Sequence, residues 1–199
     1  MTRLEIAPEL FLVALVAYLI GSIPFGLVLA RLLRLGDPRE IGSGNIGATN
    51  VLRTGSKLAA FVTLILDAAK GGITIAFAQF VFPPADAQIV AILVVIGHCF
   101  PIWLKFQGGK GVATFTGVWL VYAWPVGLAC CLTWLLVVAV SRISSLAALL
   151  SVLGSVGFVV VFGYETKLLV AIGLAALVCW RHQENIVRLL AGNEPRIGG

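Results

Sequence analysis

Residues 58–82 read LAAFVTLILDAAKGGITIAFAQFVF, a run of apolar residues in which Asp67 and Lys70 are the only charges. A helix needs about 20 such residues to cross the hydrocarbon core of a bilayer, so this stretch is long enough to span. Asp67 and Lys70 stand three positions apart on one helical face, and pairing lowers the cost of burying both. A direct ligand role for either is the less simple explanation.

The rest of the chain has the same character. Of its 199 residues, 60% are hydrophobic and 12% charged, and the mean hydropathy of +1.04 excludes a soluble domain. Strand-like alternation is nearly absent, which argues against an outer-membrane barrel. The expected fold class is therefore all-α, a polytopic helical bundle forming a single domain over residues 1–199. Its chemistry must be built from helix ends and loops at the membrane surface.

Six further apolar runs occupy residues 11–33, 87–104, 112–124, 126–140, 145–162 and 168–180, making seven candidate spans. The first is preceded by Glu5 and Glu9 rather than by a basic region, so it is expected to span and not to be a cleavable signal. Within it, Gly21, Pro24 and Gly26 permit a kink and close helix packing. The pair of runs flanking Pro125 could instead be one kinked helix.

Charge decides between the two topologies. With seven spans and the N-terminus outside, Arg31, Arg34, Arg39, Arg53, Lys57, Lys105, Lys110, Arg142, Arg181, Arg188 and Arg196 fall inside. Arg3 and Lys167 fall outside, eleven against two, with Lys70 in a helix. Merging the Pro125 pair gives eight against five, so the positive-inside rule selects seven spans and a cytoplasmic C-terminus. The four cysteines, Cys99, Cys130, Cys131 and Cys179, lack metal or disulfide spacing and are expected to pack.

Polar residues are expensive in so apolar a chain, and they cluster. The clusters are residues 41–53, residues 97–101 with 108–114, and residues 181–185, all on the inner face of the charge-selected topology. Gly42, Gly44 and Gly47 let backbone amides approach a ligand, and Asn45 is placed to cap a helix whose free amides attract an anion. Continued as a helix, Asn45, Thr49 and Arg53 form one stripe. The formal GxGxxG spacing lacks the strand of a dinucleotide fold and is rejected. A glycine-rich surface loop with an interfacial helix is the alternative.

Lys110 lies between Gly109 and Gly111, but Leu104 stands where a Walker loop needs glycine. A snorkelling lysine at a helix end is the plainer explanation, though it leaves the glycines without a reason. In the last cluster His182 and Asn185 share one helical face, while Arg181, Glu184 and Arg188 share another that can stay wet. A lone histidine is more often structural than catalytic, and His98, between Gly97 and Pro101, is read as structural.

Taken together, the segments Gly21-Ser22-Ile23-Pro24, Gly42-Ser43-Gly44-Asn45, Gly47-Ala48-Thr49-Asn50, Asp67-x-x-Lys70-Gly71, Gly97-His98-x-x-Pro101, Gly108-Gly109-Lys110-Gly111-Val112-Ala113-Thr114 and Arg181-His182-x-Glu184-Asn185-Ile186 closely resemble the bacterial acyl-phosphate:glycerol-3-phosphate acyltransferase family, PlsY. The resemblance runs from about Ala17 to Glu194 with the motifs in order. It implies a seven-helix enzyme of the bacterial inner membrane, its active site toward the cytoplasm. The enzyme would transfer a fatty acyl group from acyl phosphate to the sn-1 hydroxyl of glycerol 3-phosphate, giving lysophosphatidic acid and phosphate in phospholipid synthesis.

The resemblance further implies that Ser43, Arg53, Lys110, His182 and Asn185 line the site, with Ser43, His182 and Asn185 as the catalytic group. Gly42, Gly44, Asn45, Thr49, Asn50, Gly108 and Gly109 would shape the phosphate contacts. The partners are glycerol 3-phosphate, acyl phosphate and membrane lipids; no cofactor, metal or nucleic acid is expected. Acyl phosphate is already activated, so direct transfer without an acyl-enzyme is the expected route. The His-x4-Asp signature of acyl-CoA-dependent acyltransferases is absent, since Trp103 and Val187 stand five residues after His98 and His182. The competing reading is a transporter of a phosphorylated metabolite, disfavoured by the one-sided placement of polar groups.

Overall fold

The computed structural model describes residues 8–197, which form ten α-helices joined by short 3₁₀ turns and loops, with no strand among them. Arg3 and Glu5, used in the charge and signal arguments, lie outside the described residues.

The first apolar run is not one straight helix. It divides into α1 (Pro8–Gly21) and α2 (Phe25–Leu32), bent by 41°. Proline has no amide hydrogen and crowds the preceding turn, so Pro24 breaks the helix. Ile20 O, which loses its donor at Pro24, accepts from Ile23 N at 3.2 Å, and Lys70 Nζ donates to Ile23 O at 2.8 Å. A short helix, α3 (Ala48–Val51), leads through a 3₁₀ turn to α4 (Lys57–Val81), which Ser56 caps by accepting from Ala59 N.

The remaining helices are α5 (Pro84–Cys99), α6 (Val112–Tyr122), α7 (Trp124–Ser141), α8 (Ser144–Val161), α9 (Leu168–Arg181) and α10 (Gln183–Leu190). Pro125 sits in the first turn of α7, where its missing amide costs nothing, and the break at Ala123 makes α6 and α7 separate helices. By length and composition α4, residues 86–104, α7 and α8 can each cross a membrane, and the α1–α2 pair is a fifth if it is one span. At 1.5 Å per residue α6 and α9 rise only about 16 Å and 21 Å.

The helices meet backbone to backbone. A Cβ on Gly117 of α6 would lie 1.9 Å from Ala68 O, and one on Gly71 of α4 would lie 2.4 Å from Thr114 O, so the α4–α6 crossing requires glycine at both positions. Ile75, Val94, Phe115, Val118, Trp119, Leu174 and Val178 are fully buried between the helices. Phe61, Ile73, Phe80, Leu136, Val140 and Leu169 face outward instead, an apolar exterior that water would not tolerate and lipid does.

Candidate active site

The loop after α2 is organised by one side chain. Asn50 is buried, and its Nδ2 donates to the carbonyls of Pro38, Ile41 and Asn45 at 2.5, 3.1 and 2.7 Å. Its Oδ1 accepts from the Ser43 amide at 3.2 Å and lies 3.4 Å from Ser43 Oγ. One amide thus closes residues 38–50 into a compact turn with Ser43 at its edge. Gly42 has φ +55°, and a Cβ there would fall 2.3 Å from Arg53 Nη1, so the guanidinium lies directly over this residue.

Two local expectations are corrected here. Asn45 does not cap α3: Gly47 is the cap, without a side-chain bond, and Asn45 Oδ1 accepts from its neighbour Ile46 N. Nor do Asn45, Thr49 and Arg53 form a helical stripe, because α3 begins only at Ala48 and gives way to a 3₁₀ turn at Leu52. All three nevertheless reach the same cavity by the fold of the loop.

The second loop is clamped from behind. Gly108 N donates to Cys99 O and Gly109 N to His98 O, at 3.1 and 3.0 Å, while Arg181 donates from Nη2 to Gly108 O and from Nε to Gly109 O, at 3.0 and 3.1 Å. Both glycine amides are therefore taken within the loop, and these two residues shape it rather than offer donors of their own. The amides that remain are at the start of α6: its first backbone bond is Phe115 N to Gly111 O, leaving those of Val112, Ala113 and Thr114 without intrahelical partners. Arg181 is not on a wet face as expected; it clamps this loop and stacks 5.1 Å from the Phe100 ring.

At the end of α9, His182 is buried and its Nδ1 lies 2.8 Å from Val178 O. A carbonyl only accepts, so Nδ1 carries the proton and Nε2 keeps the lone pair of the neutral ring. Burial, together with the nearby Lys110 and Arg181 charges, pushes the His182 pKa down to about 4 against the opposing effect of the Val178 bond and of Glu194. Asn185 accepts from Lys110 Nζ through Oδ1 and donates from Nδ2 to Glu194 Oε1 at 2.5 Å. Burial and the cations Arg188 and Arg181 bring the Lys110 pKa down to about 8, although Glu194 and Glu184 oppose this.

These parts enclose one cavity of about 450 Å³. Ser43, Asn45, Thr49, Asn50, Arg53, Lys110, His182 and Asn185 are all on its wall; Gly42, Gly44, Gly108 and Gly109 stand outside that lining. The other end is apolar, built by Leu64, Ile65, Leu120, Trp134, Leu135 and Ala148 of α4, α6, α7 and α8. Leu64, Ile65, Leu120 and Leu135 are also exposed on the outer surface of the bundle, so this end borders the lipid. A cationic head joined to an apolar slot suits a phosphate ester with a hydrocarbon tail.

Residues 11–192 match the glycerol-3-phosphate acyltransferase family model. The chain belongs to that family. Among glycerol-3-phosphate acyltransferases of known sequence, that of Dinoroseobacter shibae is 53% identical over 199 residues, covering 100% of this chain and 98% of the relative. That of Roseobacter denitrificans is 50% identical over 191 residues, 96% of each chain. The crystal structure of PlsY (YgiH), an integral membrane glycerol 3-phosphate acyltransferase, in its glycerol 3-phosphate form superposes with a TM-score of 0.90 at 39% identity over 96% of both chains. Its lysophosphatidic acid form gives 0.89 at 38% identity, again over 96% of both chains. This chain is likewise an integral membrane acyltransferase.

Sequence reasoning about the glycerol-3-phosphate acyltransferase motifs passed over Glu194, Ser144 and Ser145, which also line the cavity. Glu194 accepts from Ser145 Oγ at 2.7 Å and from Arg188 Nε at 2.8 Å as well as from Asn185. Thr49 Oγ1 lies 3.2 Å from Ser144 Oγ, tying the first loop to α8. Residues 193–197 fold back under the site, with Ile197 N donating to Arg142 O at 2.7 Å. An acidic residue in a polar tail carries no periodic signal, and only its place among three donors marks it.

Proposed function

We propose that the chain, as a single domain, transfers a fatty acyl group from acyl phosphate to the sn-1 hydroxyl of glycerol 3-phosphate, yielding lysophosphatidic acid and phosphate. The observation that carries this is the single cavity with cations and free helix amides at one end and an apolar, lipid-bordering slot at the other. The acyl tail enters from the membrane and lies along Leu64, Ile65 and Leu135, while the phosphates sit between Arg53, Lys110 and the α6 amides.

The hydroxyl oxygen attacks the acyl carbonyl carbon, the bond from that carbon to the phosphate oxygen breaks, and phosphate leaves with the electron pair. Lys110 and Arg53 stabilise the charge that collects on the leaving group. Asn185 aims Lys110, and Ser43 positions substrate at the cavity edge. His182 accepts a hydrogen bond at Nε2 and orients the hydroxyl. The departing phosphate takes the electron pair of the breaking bond and becomes a stronger base than a neutral imidazole, so the proton passes to it.

The site faces the cytoplasm of a bacterial inner membrane in a seven-span topology. Four connections build the cavity: those after α2, after α5, between α7 and α8, and after α9. These connections share a side if α1–α2 together and each long helix from α4 to α9 cross once. The short α6 is accommodated because its N-terminus begins at the cavity floor, where non-helical backbone is tolerated below the membrane surface. Trp103 and Trp180 at the site end, and Trp124 at the other, are exposed aromatics at the two levels where membrane interfaces hold them.

Purified protein supplied with acyl phosphate and glycerol 3-phosphate should release lysophosphatidic acid and phosphate, and should release none with acyl-CoA as donor. Absence of product with acyl phosphate, in protein that binds both substrates, would overturn the donor assignment.

A further inference from the structure

The acyl-transfer scheme leaves one buried charged cluster on the cavity wall without a task. Asp67 and His98 both line the cavity, with side chains 3% and 4% exposed, and Lys70 lies behind them. Asp67 Oδ1 forms an ion pair with Lys70 Nζ at 2.7 Å and lies 3.5 Å from His98 Nδ1, and these two facing atoms are sealed from solvent without a hydrogen bond of good geometry. Lys70 directs its own bond to Ile23 O instead. Taking an ion pair out of water is costly, and one kept only for stability could be replaced by apolar side chains at little loss.

The chemistry of the cluster selects its ligand. A carboxylate in the wall of a cavity that holds Arg53 and Lys110 repels phosphate and attracts hydrogen-bond donors. An alcohol group both donates and accepts, which matches an acidic oxygen beside an imidazole nitrogen and an ammonium. The His98 ring packs against Gly109, where a Cβ would fall 2.1 Å from Nε2, while Nδ1 faces Asp67. Gly109 is bonded to His98 O and directly precedes Lys110, so the cluster adjoins the cationic end of the cavity.

We propose that Asp67, backed by Lys70 and His98, accepts a hydrogen bond from a hydroxyl of glycerol 3-phosphate and thereby sorts the alcohol end of this substrate from its phosphate end. The inference rests on the cavity being the glycerol 3-phosphate site. Asp67 acts by contact with substrate, while Lys70 and His98 hold its carboxylate in place.

The test is calorimetric binding of glycerol 3-phosphate and of propyl phosphate, which keeps the phosphate and lacks both hydroxyls, to the full chain in detergent without acyl donor. Wild-type protein should favour glycerol 3-phosphate at least about 30-fold, the range of a hydrogen bond to a charged group. Asp67→Asn should reduce the preference to within about threefold while propyl phosphate binds as before, which also shows that the variant is folded. An unchanged preference in Asp67→Asn would overturn the proposal. So would a wild-type preference below threefold, a result that needs no variant. Binding of neither phosphate would remove the functional reading and this inference together, whereas binding of both without discrimination removes the inference alone.

Discussion

Asn185 Nδ2 donates to Glu194 Oε1 at 2.5 Å, and this contact decides which end of the amide Lys110 meets. A carboxylate accepts only, so the amide nitrogen must turn toward Glu194 and the oxygen toward the ammonium. Glu194→Gln keeps the shape but can present its own NH₂, letting Asn185 turn over and set two donors against each other. We expect kcat/KM to fall roughly 10- to 100-fold in folded protein. Hydrogen bonds from Ser145, Asn185 and Arg188 outweigh burial and hold the Glu194 carboxyl below its ordinary 4.5. Its hold on the tail is therefore complete at neutral pH and is lost only as pH falls through that lowered value. Steady-state kinetics and thermal melts on the variant check both statements.

Lys110→Ala and Arg53→Ala each remove a charge from the cationic end of the cavity. Each should cost about 2–4 kcal/mol of transition-state stabilisation, read from kcat/KM, while the protein stays folded. Near-normal kinetics in both would remove them from the phosphate site.

Activity should decline on the alkaline side as pH rises through about 8, where Lys110 loses its proton. The ammonium is the required form, so the limb runs downward with increasing pH. Lys110→Arg keeps a charge that does not titrate in this range, and its residual activity should lack that limb. A limb at the same pH in the arginine variant would assign it to another group.

Direct transfer predicts no acyl-enzyme. Protein incubated with radiolabelled acyl phosphate alone should carry no stable label after denaturation. A label on Ser43 that glycerol 3-phosphate releases as lysophosphatidic acid at the turnover rate would establish a two-step route.

The seven-span topology places Lys57 and Asp86 at opposite ends of α4 and its return through α5. Cysteine probes at the two positions should react with impermeant reagents from opposite sides of the membrane. Reaction of both from one side would reject the topology.

The helical class was legible because membrane helices leave a signal of length and polarity in every residue, as the run 58–82 shows. Breaks were legible where proline makes them, at Pro24 and Pro125, since that effect is local and covalent. The loops were harder. The glycines at 108 and 109 look the same in sequence whether their amides face a ligand or, as here, the carbonyls of His98 and Cys99.

What the amino-acid sequence determined by itself is the membrane setting, the family and the two cations on the cavity wall, Arg53 and Lys110, because each depends on composition, spacing or motif order. The tertiary structure decided the rest. It turned Asn50 inward to hold three carbonyls, set Arg181 behind the second loop, and brought Glu194 from the tail to Asn185. The physical reason is that a buried hydrogen bond is directional and joins residues distant in the chain, so its partners follow from how the helices pack and from no local pattern.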